Sequence, residues 1–410
     1  MAISNISRAV AVGAGIGLLS LAGGASVASA ADTITLGAAV SLTGKYSTAG
    51  KDTKLGYDLA IKVINDKGGV KVGGKTYKLA VKYYDDESTP ARGAQLVDRL
   101  IKQDGIKFML GPYSSGLTKA IAPVTEKYKI PMVEGNGAAR SLFTKGYKYL
   151  FAVLSTSDFY LSSAVDLAAQ HAKASGKKPS SVKIAIAIEN DPFSSDVRDG
   201  VVERAKHYGM KIVIDDKLPR EINDMTATLT KAKALRPDLL VVSGHSKGAA
   251  LGIRQVDEQK VPVPMLAMTH CESAKVIKKF GKAANGTLCA AQWAPSMTYK
   301  DSTFGTAGQY SDLFKKTYGF VPPYQSAESS AAVEVWANAL ERAGSLDKEK
   351  VRDALAATNF MTFYGPIHFD KTGKNIGKPM VLRQIQDGKY VPVAPAEFAS
   401  GKLQYPRQSM

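Results

Sequence analysis

The sequence has little material for metal or redox chemistry. Its 410 residues include two cysteines and five histidines, and none of them are grouped with the spacing of a zinc site. After the first thirty residues no apolar run is long enough to cross a bilayer as a helix. The sequence therefore predicts no metal, no cofactor and no membrane span in the mature chain.

Acidic residues are in deficit, but the excess of basic ones does not indicate nucleic-acid binding. There are 54 lysines and arginines against 37 aspartates and glutamates, a formal net charge of +17. The basic residues are spread over almost every predicted helix and form neither an arm nor a stripe interleaved with aromatics. We expect a solvated basic surface and no nucleic-acid partner.

The first thirty residues have the pattern of an export signal. Arg8 precedes a soft apolar stretch at 9–22, and Ala28-Ser29-Ala30 is an A-x-A cleavage site. The stretch is too short for a membrane anchor, and no cysteine near the cleavage site could carry a lipid. The sequence predicts a soluble periplasmic protein, cleaved after Ala30.

The two cysteines, Cys271 and Cys289, would lie in an oxidising compartment. Only one short predicted helix separates them, so a single disulfide is one interpretation. Two buried free thiols are the other, because a sequence does not specify the distance between two sulfur atoms.

Apolar strands and amphipathic helices alternate along the chain with short connections, which predicts an α/β fold with parallel sheets covered on both faces. About 380 mature residues exceed the usual size of a single core, so two domains are expected. The predicted strands are 34–40, 79–84, 106–110, 131–134, 149–153, 182–188, 211–214, 238–242, 263–267 and 287–291. The predicted helices are 51–66, 91–103, 116–128, 157–174, 195–208, 223–235, 248–259, 273–281, 306–318, 326–343 and 347–357.

Two loops at adjacent strand ends predict an anion site. Ser114 and Ser115 follow a strand ending at Leu110 and open a helix, where hydroxyls and free backbone amides face a ligand crevice. The loop 134–139 follows another strand and again places small residues and bare backbone amides at a helix start. Helix capping is the alternative role of the serines, but two such loops favour a carboxylate site.

Several segments in order carry a family resemblance. They are the strand and turn at 34–44, Asn65-Asp66-Lys67-Gly68-Gly69, Tyr84-Asp85-Asp86, Gly111-Pro112-Tyr113-Ser114-Ser115-Gly116 and Tyr364-Gly365-Pro366. With the export signal, they resemble the leucine/isoleucine/valine-type periplasmic binding proteins, the solute receptors of ATP-driven importers. The resemblance implies a monomeric receptor without a cofactor, which delivers its solute to an inner-membrane permease.

The resemblance also implies a type I periplasmic binding fold, α/β, with two doubly wound parallel-sheet lobes joined by three crossovers. The matching crossover points are Leu154-Ser155, Gln292-Trp293 and Pro379 to Val381. The first lobe would hold 31–154 and 293–379, and the second lobe 155–292 and 380–410.

Residue by residue, the family places the ligand carboxylate at Ser115 and at the loop Asn136, Gly137 and Ala138, and an aromatic side chain at Phe193. Ala138 replaces the usual hydroxyl residue, so only its backbone amide remains. The full set of candidate ligand residues is Tyr113, Ser114, Ser115, Asn136, Gly137, Ala138, Tyr160, Phe193, His245, Thr269 and His270.

The departures from the family concern the amino group of an amino-acid ligand. In the family an acidic residue holds this amino group. Here that position is Thr269, and Glu272 comes three positions later. A tyrosine that the family has in another loop is replaced by His245. A buried ammonium needs a charged partner. With a further loop tyrosine replaced by Ala49, which should enlarge the pocket, the sequence favours an apolar monocarboxylate, most simply an aromatic acid. A hydrophobic amino-acid receptor using Glu272 is the alternative.

An enzyme is the rival from another class. Gly244-His245-Ser246-Lys247-Gly248 matches the G-x-S-x-G nucleophile elbow between a strand and a helix, and His368 could complete a serine esterase. No HGGG-like oxyanion loop is present, and the motif coincides with a ligand loop of the resembled family. We expect no enzymatic activity.

Overall fold

The computed structural model describes residues 32–272 and 274–407, except for the side chain of Ala274. The predicted leader and its cleavage site after Ala30 lie outside the described residues. From Asp32 onward the chain forms one compact unit. In the described part, no helix has both the length and the apolar character needed to cross a membrane.

Six strands form the first sheet, in the order β2-β3-β1-β4-β5-β6. β1 pairs in parallel with both β3 and β4, and only the edge strand β2 is antiparallel. The strands are β1 Asp32–Val40, β2 Val70–Val72, β3 Lys75–Asp85, β4 Met109–Leu110, β5 Met132–Glu134 and β6 Leu150–Ala152. This sheet with its helices is called the first lobe below.

Helices from both halves of the chain cover the first sheet. The bounds are α1 Ser47–Asp66, α2 Pro90–Lys102, α3 Ser115–Lys127, α9 Ala307–Tyr318, α10 Tyr324–Ala343 and α11 Lys348–Ala356. Local sequence sets their ends. α9 begins with a capping box between Thr306 and Gln309 and ends at Gly319, which has the left-handed conformation that glycine adopts most easily.

Seven strands form the second sheet, in the order β15-β14-β11-β10-β9-β7-β8. They are β7 Lys183–Glu189, β8 Lys211–Leu218, β9 Leu239–Ser243, β10 Met265–Met268, β11 Thr287–Ala291, β14 Val381–Gln386 and β15 Lys389–Ala394. β14 and β15 are antiparallel and are joined by Asp387-Gly388, both at positive φ, a two-residue hairpin turn. The sequence prediction missed these two strands, β2 and the two short strands of a later hairpin, Asn359–Thr362 and Gly365–His368.

The helices of this second lobe are α4 Ser162–Ala174, α5 Pro192–His207, α6 Thr226–Leu235, α7 Ser246–Glu258 and α8 Ala274–Phe280. The predicted helix 157–174 is wrong in its first turn, since a short 3₁₀ segment, Ser157–Phe159, precedes α4. The break places Tyr160 between the two helical pieces, where its side chain is buried at the junction of the lobes.

Hydrogen bonds join the three predicted crossovers. The Ser155 backbone amide donates to Gln292 Oε1 (3.1 Å), and the Ser155 hydroxyl donates to the Lys378 carbonyl (2.6 Å). The Lys378 ammonium donates to the Gln292 carbonyl. A hairpin of β12 Asn359–Thr362 and β13 Gly365–His368 leads to the third crossover. The lobe boundaries themselves stay a prediction.

Cys271 and Cys289 form a disulfide, with their Cα atoms 5.4 Å apart. It joins the loop after β10 to the neighbouring strand β11. Of the two interpretations left open by the sequence, the structure has the bridge.

Small residues allow α1 and α10 to approach closely in the first lobe. The Ser330 hydroxyl donates to the Gly56 carbonyl (2.7 Å), and the Ser326 hydroxyl donates to the Asp52 carbonyl (2.8 Å). A Cβ on Gly56 would lie 2.2 Å from the backbone carbonyl oxygen of Ser326. The contact therefore depends on the absence of a side chain at residue 56.

We expect Gly56→Ala to lower the free energy of unfolding by about 1–3 kcal/mol, because backbone atoms must move apart. Gly308→Ala in α9 is the matched control, since the nearest atoms to its Cβ are 3.7 Å away. The control should gain about 0.5–1 kcal/mol through reduced chain entropy. Urea unfolding followed by circular dichroism measures both. Equal effects of the two substitutions would contradict the close-packing argument.

Candidate functional site

A small buried cavity lies between the two lobes, at the carboxyl ends of the strands, which is where open α/β sheets receive ligands. Eight of the eleven predicted ligand residues line it, namely Tyr113, Ser114, Ser115, Asn136, Tyr160, Phe193, His245 and His270. Tyr324 and Glu328 complete the lining. Gly137, Ala138 and Thr269 do not line it.

On the first lobe, the start of α3 faces the cavity. Ser114 is the N-cap, and its hydroxyl accepts a hydrogen bond from the Leu117 amide (3.4 Å). Its φ of 89° is unusual for a residue with a side chain. The Ser115 hydroxyl accepts from the Ala139 amide (2.9 Å) and retains its own proton for donation. The capping role predicted as the alternative therefore applies to Ser114, while Ser115 links the two loops.

Glu134 changes the role of the second loop. Its buried carboxyl accepts hydrogen bonds from the backbone amides of Asn136 (2.6 Å) and Gly137 (2.7 Å) and from the Thr118 hydroxyl (2.8 Å). The expectation that both loop amides are bare is wrong, because a buried carboxyl takes the nearest donors. Between these two loops, the donors that remain toward a ligand are the Ser115 hydroxyl and the first-turn amides of α3 before Leu117, whose amide is used by the cap.

On the second lobe, Asp191 caps α5, accepting from the Ser194 amide (2.9 Å), and Pro192 begins the helix. The next residue, Phe193, thereby lies against the cavity. Its ring packs edge-on against Tyr160, with 5.0 Å between the ring centroids. The Asp-Pro start of the helix therefore explains how this aromatic side chain is positioned.

His245 forms a direct contact between the lobes. Its Nδ1 lies 3.1 Å from the Tyr113 hydroxyl, and its Nε2 lies 3.2 Å from Asp191 Oδ2. The second contact has ion-pair distance without hydrogen-bond alignment, since Oδ2 has no hydrogen-bond partner. Burial opposes the charge of Asp191, but the neighbouring His245 and the hydrogen bond from Ser194 still hold the pKa of Asp191 below its usual value.

His270 is a neutral side chain at this site. Burial and the neighbouring His245 lower its pKa to about 3. Its Nδ1 lies 2.9 Å from the Gly244 carbonyl, which can only accept, so Nδ1 carries the proton and Nε2 is an acceptor. Thr269 lies beneath the same loop, donating from its hydroxyl to the Gly244 carbonyl (2.9 Å). Thr269 therefore supports the loop.

Burial keeps the other ionisable groups of the lining uncharged. It raises the pKa of Glu328 well above its usual value, and it does the same for Tyr113, Tyr160 and Tyr324. Glu328 also accepts a hydrogen bond from the Tyr364 hydroxyl (3.2 Å). The lining therefore offers hydroxyl donors and aromatic faces, but no carboxylate available to an ammonium group.

The cavity is nearly filled by side chains, and its free volume is about 10 Å³. Ala49, which was expected to enlarge the pocket, does not line this cavity but borders a larger neighbouring space, described below. Tyr46, which the sequence reasoning missed, takes up space beside the cavity, with its ring centroid 4.7 Å from His245 and 5.5 Å from Tyr113. A ligand can enter only if the lobes separate or these rings move.

Tyr324 and Glu328 were also missed. Their spacing of four residues on α10 places both on one helix face, which a sequence does show. The preceding Pro322-Pro323 marks the start of that helix. What the sequence could not show is that this face meets the cleft.

The esterase arrangement does not form among the described residues. Ser246 is exposed at the start of α7, and no hydrogen bond connects it to a histidine there. The His245 ring instead contacts Tyr113 and Asp191, and His368 lies at the end of β13 in a separate hairpin.

Larger spaces lie elsewhere among the described residues. One of about 360 Å³, bordered by Asp52, His270, Glu272, Phe320 and Arg383 among others, lies beside the cleft. Another, of about 820 Å³, lies at the amino ends of the strands of the second sheet, beside Lys183 and Lys211. Only the first adjoins the ring-lined cavity, through His270.

Known proteins resemble this chain along most of its length. It is 24% identical over 355 residues, 87% of this chain and 90% of the relative, to the leucine-, isoleucine-, valine-, threonine-, and alanine-binding protein of Pseudomonas aeruginosa. The branched-chain amino acid transporter substrate binding protein LivJ of Streptococcus pneumoniae, solved with isoleucine, superposes with a TM-score of 0.77 at 22% identity, covering 89% of this chain and 100% of that one.

A solute binding protein of an ABC transporter from Rhodopseudomonas palustris BisB5, solved with 3,4-dihydroxy benzoic acid, superposes with a TM-score of 0.76 at 21% identity, covering 90% of this chain and 98% of that one. These similarities agree with the predicted type I fold. The family model described as periplasmic binding protein matches residues 33–389. With a match of that extent, the chain belongs to the periplasmic binding protein family.

Proposed function

We propose that this protein is the periplasmic substrate-binding component of an ABC importer and that it binds a small apolar carboxylate, most simply an aromatic acid. The lobes close around the solute by hinge motion, and the closed receptor delivers it to an inner-membrane permease. Export with cleavage after Ala30 and action as a monomer belong to the same proposal. The protein carries out no chemical reaction on its ligand.

The observation that carries the ligand class is the composition of the cavity lining. Aromatic rings from both lobes line the same cavity as Ser115 at the start of α3, and burial raises the pKa of the one lining carboxyl, Glu328, well above its usual value. A helix start favours an anion, while a buried ammonium would lack a partner. Relatives with an aromatic acid and with a branched-chain amino acid share the fold.

A branched-chain amino acid is the second candidate, because one buried acid has an unsatisfied atom. Glu272 Oε2 has no hydrogen-bond partner, and the residue borders the 360 Å³ space next to His270. Burial raises the pKa of Glu272 to about 7, and a ligand ammonium beside it would favour the charged form. In this arrangement Glu272 binds the ligand ammonium group, which Thr269 cannot do because it has no charge.

We expect benzoate or a hydroxycinnamate to raise the melting temperature of the mature protein by several degrees, and leucine or valine to leave it unchanged. A ligand at about 100 times its Kd adds about 2.7 kcal/mol to the folded state. Thermal denaturation followed by calorimetric titration measures this, with benzamide as the uncharged control. Micromolar leucine binding that Glu272→Gln abolishes, with no response to any aromatic acid, would establish the second candidate instead.

A further inference from the structure

Three potential metal ligands meet next to the cleft in the second lobe. Glu189, Asp191 and His245 each offer one ligand atom, and these atoms all lie within 4.8 Å of one another. All three residues are buried, with 4%, 5% and 9% of their surface exposed. Sequence spacing predicted no metal site, because these residues come together only through the pairing of β7 with β9.

The local structure leaves one oxygen of each carboxylate unused. Asp191 Oδ1 accepts from the Ser194 amide, whereas the buried Oδ2 has no hydrogen-bond partner. Glu189 Oε1 accepts from the Glu221 amide (3.2 Å), and Oε2 faces Gly244, at 3.4 Å from the position of a Cβ there. Both free oxygens are therefore directed toward the loop that carries His245.

The histidine ring is oriented by the other lobe. The Tyr113 hydroxyl lies 3.1 Å from His245 Nδ1. The other ring nitrogen of His245, Nε2, therefore faces the carboxylates and lies 3.2 Å from Asp191 Oδ2. A histidine that binds a metal generally has its second nitrogen held by a hydrogen bond. Around an ion with bonds of about 2.0–2.2 Å, ligand atoms are separated by roughly 3–3.5 Å. The Asp191–His245 pair already has this separation at 3.2 Å, and the set as a whole, within 4.8 Å, would contract around the ion.

Charge balance also favours a cation here. Two buried carboxylates lie together with one histidine, His245, beside Asp191. The longer basic side chains nearby are engaged elsewhere, since Lys45 pairs with Glu221 (3.8 Å) and Arg220 donates to the Asn190 carbonyl (3.3 Å). A buried negative charge without a partner is costly.

We propose that Glu189 Oε2, Asp191 Oδ2 and His245 Nε2 bind a divalent first-row transition-metal ion of the Zn²⁺ type, for which mixed imidazole and carboxylate ligands are suited. The inference goes beyond the proposed function and does not depend on the identity of the solute. Because Tyr113 of the first lobe holds the ligating histidine, the ion would also stabilise the closed arrangement.

The test is calorimetric titration of ZnCl₂ into the mature protein after removal of metals by a chelator, with MgCl₂ and MnCl₂ for comparison. We expect one Zn²⁺ per chain, weaker Mn²⁺ binding and no Mg²⁺ binding. Asp191→Asn keeps the helix cap, and Glu189→Gln keeps the side-chain volume. Each should weaken Zn²⁺ binding by about tenfold to a hundredfold. His368→Ala, which alters an exposed histidine, is the control and should change nothing.

Undiminished Zn²⁺ binding in both carboxylate variants, or no binding by the original protein, would overturn the proposal and leave the three groups as an ion-paired cluster. If a variant does not fold, anomalous diffraction at the zinc edge from crystals of the original protein decides. A peak between the three side chains supports the site, and peaks only at surface histidines contradict it.

Discussion

Ser115→Ala is expected to lower the affinity for an aromatic carboxylate by about tenfold to a hundredfold, because a hydrogen bond to a charged group contributes about 1.5–3 kcal/mol. The Ser115 side chain is buried, lines the cavity and has a hydroxyl proton available for donation. Isothermal titration of benzoate into the original protein and the variant measures the change.

The control must separate ligand binding from the link between Ser115 and Ala139. Benzamide has the same ring without the charge, so its weak affinity should change little in the variant. Ser141→Ala removes a hydroxyl that donates to Asp196 (3.0 Å) away from the cavity, and it should leave benzoate affinity intact. Equal benzoate affinity in folded Ser115→Ala protein would limit this serine to holding the loop.

Glu134→Gln is expected to remove part of the pH dependence of stability. Burial raises the pKa of Glu134 from 4.5 to about 7, although three hydrogen bonds favour the charged form. Between these values the folded protein keeps a proton that the unfolded chain has lost, so rising pH destabilises the fold until about pH 7. This group should therefore reduce the free energy of unfolding by up to about 3 kcal/mol between pH 4.5 and pH 8.

Urea unfolding at pH 4.5, 6 and 8 tests this prediction by a double difference. The stability of Glu134→Gln relative to the original protein should increase steadily over that range. Glu203→Gln replaces a carboxyl that is mostly exposed in its ion pair with Arg140, and it should show no comparable trend. A constant difference between Glu134→Gln and the original protein would mean that Glu134 is ionised when folded.

The spacing of apolar residues along the sequence was sufficient to predict most of the helices and strands. Strands such as β7, whose buried residues form a continuous apolar run, and helices with apolar residues at three- and four-residue spacing were predicted within a few residues of their observed bounds. β14 was missed although apolar and polar residues partly alternate along it and Asp387-Gly388 follows. The break before α4 depends on Tyr160 packing between the lobes, which is a tertiary effect.

The site was predictable where it depends on strand ends. Ser115, Phe193 and His245 each follow a strand of the sheet that carries them, so topology alone brings them to one edge. The roles of Glu134 and Tyr46 could not be inferred, because each role depends on which groups lie next to the buried side chain in the folded structure. An acid directly before a glycine-rich loop is a signal that could have indicated the use of the Asn136 and Gly137 amides by Glu134.

The contact between Tyr113 and His245 occupies the cavity in which we propose that the ligand binds, so the contact and the ligand exclude each other. With Tyr46 packed against both rings, the contact pairs the Tyr113 hydroxyl with His245 Nδ1, and these side chains nearly fill the cavity. Only the fraction of molecules in which these rings are apart can accept a ligand, so the measured Kd equals the intrinsic Kd divided by that fraction. A stronger tyrosine–histidine contact would therefore raise the solute concentration at which the receptor responds.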